Sequence, residues 1–322
     1  MTKRDTKPSV RIGVSSCLLG QNVRYDGEHK RDSFITNALT HYFEFVPVCP
    51  EVSIGLGVPR PPIQLRGKLE AARVVSVKDP ELDVTDKLRE YGTQMAKELS
   101  DISGYIFKSK SPSCGMERVK LYPSTGNGAP NKKGVGQYAD AFMKANPLLP
   151  AEEEGRLHDP VLRENFLERV FTYKRWQDLT KKGISAHRLV EFHTHHKYGI
   201  LAHGNKYYTE LGKLVAEAGK KPITQAAEEY IAKLMATLKR RATRKGHTNV
   251  LQHLQGYLKD RLDVQDKSEL SEVIDSYRLG QVPLIVPITL LKHHFRKNPD
   301  PYISKQFYLN PHPPELMLRN LI

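Results

Sequence analysis

Cysteine and tryptophan are scarce in this chain, which has three cysteines and one tryptophan among 322 residues. So few cysteines cannot build a disulfide scaffold of this size, and we expect a reduced, cytoplasmic protein. No apolar run is long enough to cross a membrane, and the first residues lack the apolar segment of a signal peptide. With 39% hydrophobic and 27% charged residues, the composition is that of a globular protein.

Acidic residues are too few to balance the basic ones, so the formal net charge is +14. Up to Pro150 there are 22 Lys and Arg against 16 Asp and Glu, and after it 28 against 20. Both halves are therefore basic. Such an excess favours a polyanionic partner, most often nucleic acid, although a merely soluble basic surface would have the same composition.

The first half alternates short β-rich runs with helical patterns. This alternation predicts an α/β domain over residues 1–150, with a parallel, doubly wound, Rossmann-like sheet. The predicted strands are Ser9–Ser16, Phe43–Cys49, Ala72–Val77 and Gly104–Lys110, and the predicted helices are Arg31–Phe43 and Val84–Ile102.

The second half has an almost continuous helical pattern, which begins after a predicted linker at residues 146–160. It predicts an all-α domain over residues 151–322, in which Tyr230, Leu234 and Leu238 mark one buried helix face. The predicted helices are Val161–Lys181, Ala186–Tyr198, Lys206–Ala218, Thr224–Arg244, Asn249–Lys259, Lys267–Leu279 and Pro287–Arg296.

The three cysteines follow three of the predicted strands. Cys17 comes after SVRIGVSS, Cys49 closes FEFVPVC, and Cys114 lies beyond GYIFKSK. The carboxyl ends of parallel strands meet at one sheet edge, so the three thiols are predicted to converge there. Three thiolates suit an iron–sulfur cluster with one iron left open to substrate, whereas zinc normally needs a fourth ligand and close cysteine pairs. Three unrelated buried thiols remain the alternative.

Three motifs in the first half resemble the thiouracil desulfidase family. They are VSSCLLGQNVRYDG, CPEVSIGLGVPRPP and FKSKSPSCG, and the resemblance covers roughly Val10 to Phe142. The resemblance implies a [4Fe-4S] cluster, with its three cysteine ligands at Cys17, Cys49 and Cys114. It also implies two acid/base residues, Glu51 and Ser111.

These two residue types suit the implied chemistry. A soft thiocarbonyl sulfur would bind an open iron, and Glu51 could then take a proton from an attacking water. Ser111 could hydrogen-bond the substrate ring and relay a proton. The alternatives are that Glu51 caps the helix or turn that follows CPEVS, and that Ser111 and Ser113 only form a turn with Pro112. One side chain among Arg24, Tyr25 and Asp26 is expected to face the substrate.

Basic clusters in the second half indicate phosphate contacts. Five of the seven residues from Lys239 to Lys245 are Lys or Arg, more than a helix end needs to balance its dipole. The RNA-binding candidates are Lys239, Arg240, Arg241, Arg244, Lys245, Lys174 and Arg175.

Histidines are also concentrated in the second half, which has eleven of the thirteen. Four of them lie close together, at His193, His195, His196 and His203. Their spacing is not that of a metal site, so core packing or phosphate contact is favoured over metal binding.

The segments HTNVLQHLQGYLK and VPLIVPITLLKHHFRK resemble the YbgA-like domain. A desulfidase domain followed by this domain resembles the bacterial desulfidases that act on 4-thiouridine in tRNA. The resemblance therefore implies tRNA as the partner, and the basic charge favours the same class of ligand independently. Presenting the thiolated base to the cluster would require it to be unstacked, at a cost of a few kcal/mol.

Three hypotheses follow from these observations. The first is a desulfidase of 4-thiouridine in tRNA. The second is a desulfidase of free thiouracil or its nucleoside, with a structural helical domain. The third is an iron–sulfur RNA-binding sensor without catalysis. The first predicts activity that falls steeply with salt, because phosphate contacts release counterions.

Overall fold

Several strands of the first half, such as VRIGVS, FEFVPV and RVVS, form from short runs rich in valine, isoleucine and phenylalanine, as their β propensity favours. The computed structural model describes residues 10–125, 128–313, 316 and 318–320. Ser9, the first residue of one predicted strand, lies outside these ranges. The strands in chain order are β1 Val10–Ser15, β2 Phe43–Val48, β3 Ile63–Arg66, β4 Arg73–Ser76, β5 Gly104–Phe107, β6 Val119–Tyr122, β7 Asn131–Gly134 and β8 Ala151–Glu153.

One sheet is entirely parallel and has the strand order β2-β1-β5-β8. In its register Ile12 pairs with Phe45 on one side and with Gly104 on the other. The predicted parallel α/β sheet is therefore confirmed, and β1, β2 and β5 correspond to three of the predicted strands. Strand β8 pairs with β5 and lies in the segment predicted to be a linker. The chain accordingly divides into the units Met1–Asp159 and Pro160–Ile322.

The predicted strand Ala72–Val77 belongs to a different sheet, which has the order β4-β3-β6-β7. Within it, β3 and β4 pair antiparallel, with Leu65 opposite Val74. Only residues 67–72 separate these two strands. A parallel crossover needs a dozen or more residues, so this short connection allows only a hairpin. The expectation that this strand joins the parallel sheet was wrong.

The predicted helix Arg31–Phe43 is also wrong in type. The chain forms a π-helical turn at Phe34–Ala38 and a 3-10 turn at Leu39–His41. The hydroxyls of Thr36 and Thr40 donate to backbone carbonyls four residues earlier, which competes with regular helix formation.

The α-helices of the first unit frame the parallel sheet. In chain order they are α1 Pro50–Ser53, α2 Thr85–Glu98 and α3 Gln137–Ala145. Helix α2 is shorter than the predicted Val84–Ile102. Tyr105 and Phe107 of β5 stack at 4.0 Å and contact Phe142 of α3, so aromatic packing fixes this helix against the sheet.

In its described residues, the second unit has seven α-helices, and the predicted all-α class is confirmed. The predicted helix Thr224–Arg244 extended too far, since in the structure one helix ends at Leu238 and the next begins at Arg244. No helix that the structure describes could cross a membrane. The helices are α4 Pro160–Lys181, α5 Ala186–His203, α6 Asn205–Ala216, α7 Ile223–Leu238, α8 Arg244–Gly256, α9 Val264–Arg278 and α10 Ile285–Lys297.

Candidate active site

The parallel sheet brings the three cysteines to one edge. Cys17 follows β1 by two residues, Cys49 follows β2 directly, and Cys114 lies seven residues beyond β5. These three strands are neighbours in the sheet, so their carboxyl ends open onto the same space. All three thiols line one cavity of about 280 Å³. Convergence of the cysteines, expected from the strand pattern, is what the structure shows.

Backbone hydrogen bonds hold the segments that carry Cys17 and Cys49. The carbonyl of Cys17 accepts from the amide of Lys30 at 2.9 Å, and Cys49 stands immediately before α1 with its carbonyl accepting from the amide of Ser53 at 3.0 Å. The Cys49 sulfur lies 3.7 Å from the carbonyl oxygen of Val23. The backbone at both cysteines is therefore anchored beside the cavity.

The segment between β5 and β6, residues 108–118, is called the Cys114 loop and packs against the beginning of α3. The amides of Gly136, Gln137 and Ala139 donate to carbonyls of this loop, at 2.7 to 3.1 Å. These bonds satisfy helix-start amides that have no partner within the helix. A Cβ on Gly136 would lie 2.5 Å from the carbonyl oxygen of Ser113 and 2.8 Å from the amide nitrogen of Cys114. Glycine at this position therefore allows the loop to pack against the helix.

Burial controls the protonation of the thiols. Desolvation raises the pKa of Cys17 to about 11, and it also raises the pKa of Cys49 and of Cys114. The charge of Lys108 acts in the opposite direction on Cys17. The three thiols are close enough for each to raise the pKa of another if it were charged. Among the described residues, no three Cys, His, Asp or Glu side chains are grouped to hold a single metal ion.

Glu51 lines the same cavity and is paired with a buried arginine. Nε and Nη2 of Arg60 lie 3.0 and 2.7 Å from one carboxylate oxygen, Oε2, of Glu51. The Arg60 side chain is only 3% exposed, and its other donors reach the carbonyls of Gly57 at 2.8 Å and Val23 at 2.9 Å. Arg60 thus fixes the carboxylate in one orientation.

A serine hydroxyl contacts the other oxygen of this carboxylate. Ser113, which is fully buried, donates from Oγ to Oε1 of Glu51. The Oγ of Ser111 lies 2.9 Å from the Oγ of Ser113 and lines the cavity. A hydroxyl has one proton. Because Ser113 donates its proton in the hydrogen bond to Glu51, it accepts in the hydrogen bond from Ser111. The result is a chain from Ser111 through Ser113 to Glu51.

Ser111 also shapes the loop, as the turn alternative expected. Its Oγ accepts from the amides of Ser113 at 3.2 Å and Cys114 at 3.1 Å. The same side chain therefore faces the cavity and stabilises the backbone before Cys114. For Glu51, the capping alternative has no support, because the N-cap position of α1 is Cys49 and has no side-chain cap bond.

Cations lie around the cavity. Arg24, Tyr25, Lys108 and Lys110 are among the lining residues, whereas Asp26 is not. Asp26 instead pairs with Arg24 at 3.2 Å, so two side chains of this turn face the cavity rather than one. Lys108 forms an ion pair with Glu154.

Sequence reasoning missed Arg60 and Ser113. The signal for Arg60 was present, since GVPRPP places one arginine in an otherwise uncharged, proline-rich stretch after the glutamate. Ser113 was considered only as part of a turn.

Two of the RNA-binding candidates are engaged inside the helical unit. Lys174 pairs with Asp178 on the next turn of α4. The guanidinium of Arg175 lies 4.0 Å from the ring centroid of Phe307 and donates to the carbonyl of Pro311. Burial lowers the pKa of Arg175 to about 10. Both side chains therefore already have partners within the helical unit, and their contact with RNA stays a prediction.

The other candidates, from Lys239 to Lys245, occupy a turn rather than one helix end. Lys239 is the C-cap of α7, Arg240 and Arg241 follow it, and Arg244 and Lys245 open α8. Arg240 lies over the ring of Tyr207 at 5.3 Å. Cations favour a helix C-terminus but not an N-terminus, so the dipole explains only the first part of the cluster.

Three of the four clustered histidines are buried and pack in the helical core. Nδ1 of His193 lies 3.2 Å from the hydroxyl of Tyr230, and the His196 ring packs 4.1 Å from that of Phe192. Nδ1 of His203 lies 3.0 Å from the carbonyl oxygen of Gly199. Burial lowers the pKa of His193 to about 4, so it is neutral at ordinary pH. Core packing is thus the structural role of these three residues.

Two family models match successive parts of the chain. The model described as 2-thiouracil desulfurase matches residues 12–154, and the model described as a protein of unknown function, DUF1722, matches residues 197–313.

Two curated proteins and one solved structure are similar to parts of this chain. Uncharacterized protein YbgA of Escherichia coli (strain K12) is 31% identical over 49% of this chain and 94% of its own length. Uncharacterized protein YbbK of Bacillus subtilis (strain 168) is 34% identical over 46% of this chain and 98% of its own. A structure titled as the [4Fe-4S]-dependent thiouracil desulfidase TudS is 33% identical, covers 47% of this chain and 95% of its own, and has a TM-score of 0.38.

Proposed function

We propose that this chain, which belongs to the 2-thiouracil desulfurase family over residues 12–154 and to the DUF1722 family over residues 197–313, removes sulfur from 4-thiouridine in tRNA. Family membership makes it an enzyme that breaks a carbon–sulfur bond. The [4Fe-4S] cofactor, the tRNA substrate and the residue roles are our proposal. One observation carries it, namely that a single cavity holds three thiols, a fixed carboxylate and a hydroxyl chain.

The donor set of the cavity fits a cluster bound by three cysteines. Cys17, Cys49 and Cys114 supply soft thiolates and leave one iron without a protein ligand. Because burial keeps the free thiols protonated, loading the cluster must release protons. When bound, the cluster supplies an open iron that holds the thiocarbonyl sulfur and draws electron density from the ring carbon.

Glu51 acts as the general base. Arg60 holds Oε2, so Oε1 is the oxygen that remains for proton transfer. Water attacks the ring carbon, Glu51 takes one of its protons, and the carbon–sulfur bond breaks as the oxygen from water becomes the carbonyl oxygen of the product. One thiocarbonyl and one water give one carbonyl and one hydrogen sulfide, so the reaction needs no oxidant or reductant.

The two serines connect this base to the cavity wall. Ser111 faces the cavity and is positioned to hydrogen-bond the substrate ring. Ser113 links Ser111 to Glu51 without facing the cavity itself. Once Glu51 carries the proton, the two hydroxyls can turn so that Glu51 donates to Ser113 and Ser113 donates to Ser111, and Ser111 then gives its proton to the ring or to the leaving sulfur.

The basic helical unit holds the tRNA. Its positive excess and the cluster from Lys239 to Lys245 suit a phosphate backbone, and shape and phosphate contacts are the usual means of binding folded RNA. The cavity of about 280 Å³ has to admit the base beside the cluster and is too small for a duplex, so the base must leave its stack to enter it.

The test is an anaerobic reconstitution with iron and sulfide, followed by incubation with thiolated tRNA or free 4-thiouracil in parallel. Loss of the thiocarbonyl absorption from tRNA, declining as salt rises, is the expected result. Loss from the free base alone, unaffected by salt, would favour the second hypothesis and make the helical unit structural. Loss from neither substrate by a cluster-loaded protein would leave the sensor hypothesis.

The ligand set has its own test. Replacing Cys17, Cys49 or Cys114 by serine, one at a time, is expected to prevent cluster loading, measured as iron and sulfide per chain. A variant that retained a full cluster and full activity would show that its cysteine is not a ligand.

A further inference from the structure

The helical unit has a cavity of its own, of about 230 Å³. It lies between α4, the turn that joins α7 to α8, and α9. Its charged lining residues are Arg241, Arg244, Arg319, His247, Glu164 and Glu168. Three arginines line this small cavity, so the anion that each of them pairs with has to be identified.

One of the two glutamates is compensated by protein groups. Glu164 accepts from Nε of Arg319 at 3.1 Å and lies 3.1 Å from Nε2 of His312. Burial alone would raise the pKa of Glu164, but these two partners outweigh it and lower the pKa to about 2. Glu168 lies 3.6 Å from Nε2 of His203, which is too far for a hydrogen bond. Of the three arginines, only Arg319 pairs with a carboxylate among the described residues.

The other two arginines have no carboxylate partner among the described residues. The guanidinium of Arg244 lies over the ring of Tyr277 at 4.7 Å and donates to the carbonyl of that residue at 2.6 Å. Arg241 is exposed at the turn, and the described residues give it no ion pair. Arg244 is therefore held against the cavity wall, whereas Arg241 is available to bind a ligand.

The position of Arg244 at the start of a helix does not stabilise the fold. Arg244 and Lys245 occupy the first turn of α8, where the helix dipole repels cations. The turn before them is held in place, because the side-chain amide of Asn165 on α4 donates from Nδ2 to the carbonyls of Leu238 at 2.8 Å and Arg240 at 3.2 Å. A held turn that concentrates unpaired cations is typical of an anion site.

We propose that this cavity binds one phosphate group, with Arg241 and Arg244 as the donors. The planar, forked guanidinium matches phosphate oxygens in pairs, which suits arginine better than lysine for this task. The identification of the source as an RNA phosphate rests on the proposed tRNA function. The phosphate site itself does not depend on it.

The first measurement uses inorganic phosphate and the full chain. Thermal unfolding is followed by the fluorescence of Trp176, the single tryptophan, which lies in α4 of the helical unit. At constant ionic strength, replacing chloride by phosphate is expected to raise the unfolding temperature. In Arg241→Gln this rise should be lost, and in Arg244→Lys it should be reduced, since lysine keeps the charge but not the fork. The control is Lys267→Gln on α9, which removes an exposed charge outside the cavity and should keep the full rise.

The second measurement is the affinity for tRNA over a range of salt concentrations. Arg241→Gln is expected to weaken binding about tenfold and to reduce the log–log salt slope by about one. Lys267→Gln should change both much less.

The outcomes separate the site from the function. No phosphate effect on the wild-type chain, or equal losses in Arg241→Gln and Lys267→Gln, would overturn the site while leaving tRNA binding to stand. A phosphate effect that needs Arg241, with no tRNA binding by the wild-type chain, would retain the site and overturn the tRNA partner.

Discussion

The two units each contain a buried arginine–glutamate pair, and the pairs differ in what the carboxylate has left to do. In the first unit, Arg60 contacts only Oε2 of Glu51, while Oε1 accepts from a serine hydroxyl that leads to the cavity. In the second unit, Arg319 and His312 together hold Glu164. The carboxylate of Glu51 is fixed in orientation but can still take part in proton transfer. Both oxygens of Glu164 are used by its two partners.

The comparison shows that burial of an ion pair does not by itself distinguish a catalytic group from a structural one. A buried pair brings little net stability over apolar residues, yet losing one partner leaves an expensive unpaired charge. The oxygen that Arg60 does not contact, its link through Ser113 to the cavity and the neighbouring thiols are what make Glu51 a candidate base. Each glutamate therefore serves as the matched control for the other.

The largest effect is expected from Glu51→Gln. The amide keeps the shape and can still accept from Arg60, but it cannot take a proton. We expect turnover to fall on the order of 10² to 10⁴-fold, the usual contribution of a general base. Single-turnover desulfuration by cluster-loaded protein measures this, with iron per chain as the loading control. Wild-type turnover in this variant would remove Glu51 from the mechanism.

Glu164→Gln should instead affect stability. Arg319 would remain buried without its counter-charge, a loss that typically costs about 3–5 kcal/mol. Urea unfolding followed by Trp176 fluorescence measures it. Desulfuration of free 4-thiouracil, counted per folded molecule, should stay at the wild-type value. An unchanged urea midpoint would mean that the pair contributes nothing to the fold.

Acid should weaken the helical unit for the same reason. The folded pKa of Glu164 is about 2, below its ordinary value of 4.5, so its contribution is present above about pH 4.5 and is lost as pH falls towards 2. That shift corresponds to about 3 kcal/mol. Burial lowers the pKa of His247 to about 3, so the unfolded chain gains a proton below pH 6.5 that the folded chain lacks.

Urea midpoints from Trp176 fluorescence should therefore fall continuously as pH is lowered from about 6.5 to about 3. In Glu164→Gln the part of the fall below about pH 4.5 should shrink. A wild-type midpoint that stayed constant over this range would contradict both assignments.

The smallest effect separates the two serines. Ser113→Ala breaks the link to Glu51 but leaves the backbone bonds of the Cys114 loop, so we expect about a tenfold loss of turnover with full iron content. Ser111→Ala also removes the acceptor for the amides of Ser113 and Cys114, so iron content should fall as well. Equal iron content in the two variants would mean that Ser111 does not stabilise the loop.

Elements with a strong local pattern were predicted well. The runs in β1 and β2 and the helical periodicity of the second half were read directly from the sequence. The second sheet was not predicted as such, since β3 lies in the proline-rich segment PPIQLR and β7 in the polar segment NKKG. Neither segment has the composition of a strand, and the two hairpins of this sheet are joined by the pairing of β3 with β6, a contact distant in sequence that local propensity does not report.

The candidate site divides in the same way. The cysteines could be located because each follows a recognisable strand. Arg60 was missed because it acts through a contact with Glu51, nine residues away, that a sequence pattern does not show. The partners of Arg175 could not be predicted either, because Phe307, whose ring its guanidinium contacts, lies far along the chain.

The sequence by itself determined the α/β and all-α classes, the positive charge and the three strand-following cysteines, because composition and periodicity are properties of neighbouring residues. Only the tertiary structure decided which side chains meet. It joined Glu51 to Ser113 across 62 positions and paired Glu164 with Arg319 across 155. Among the described residues it gave Arg241 and Arg244 no carboxylate partner, although Glu164 and Glu168 line the same cavity. Those outcomes depend on the packing of distant elements, and burial then decides what each charged group can do.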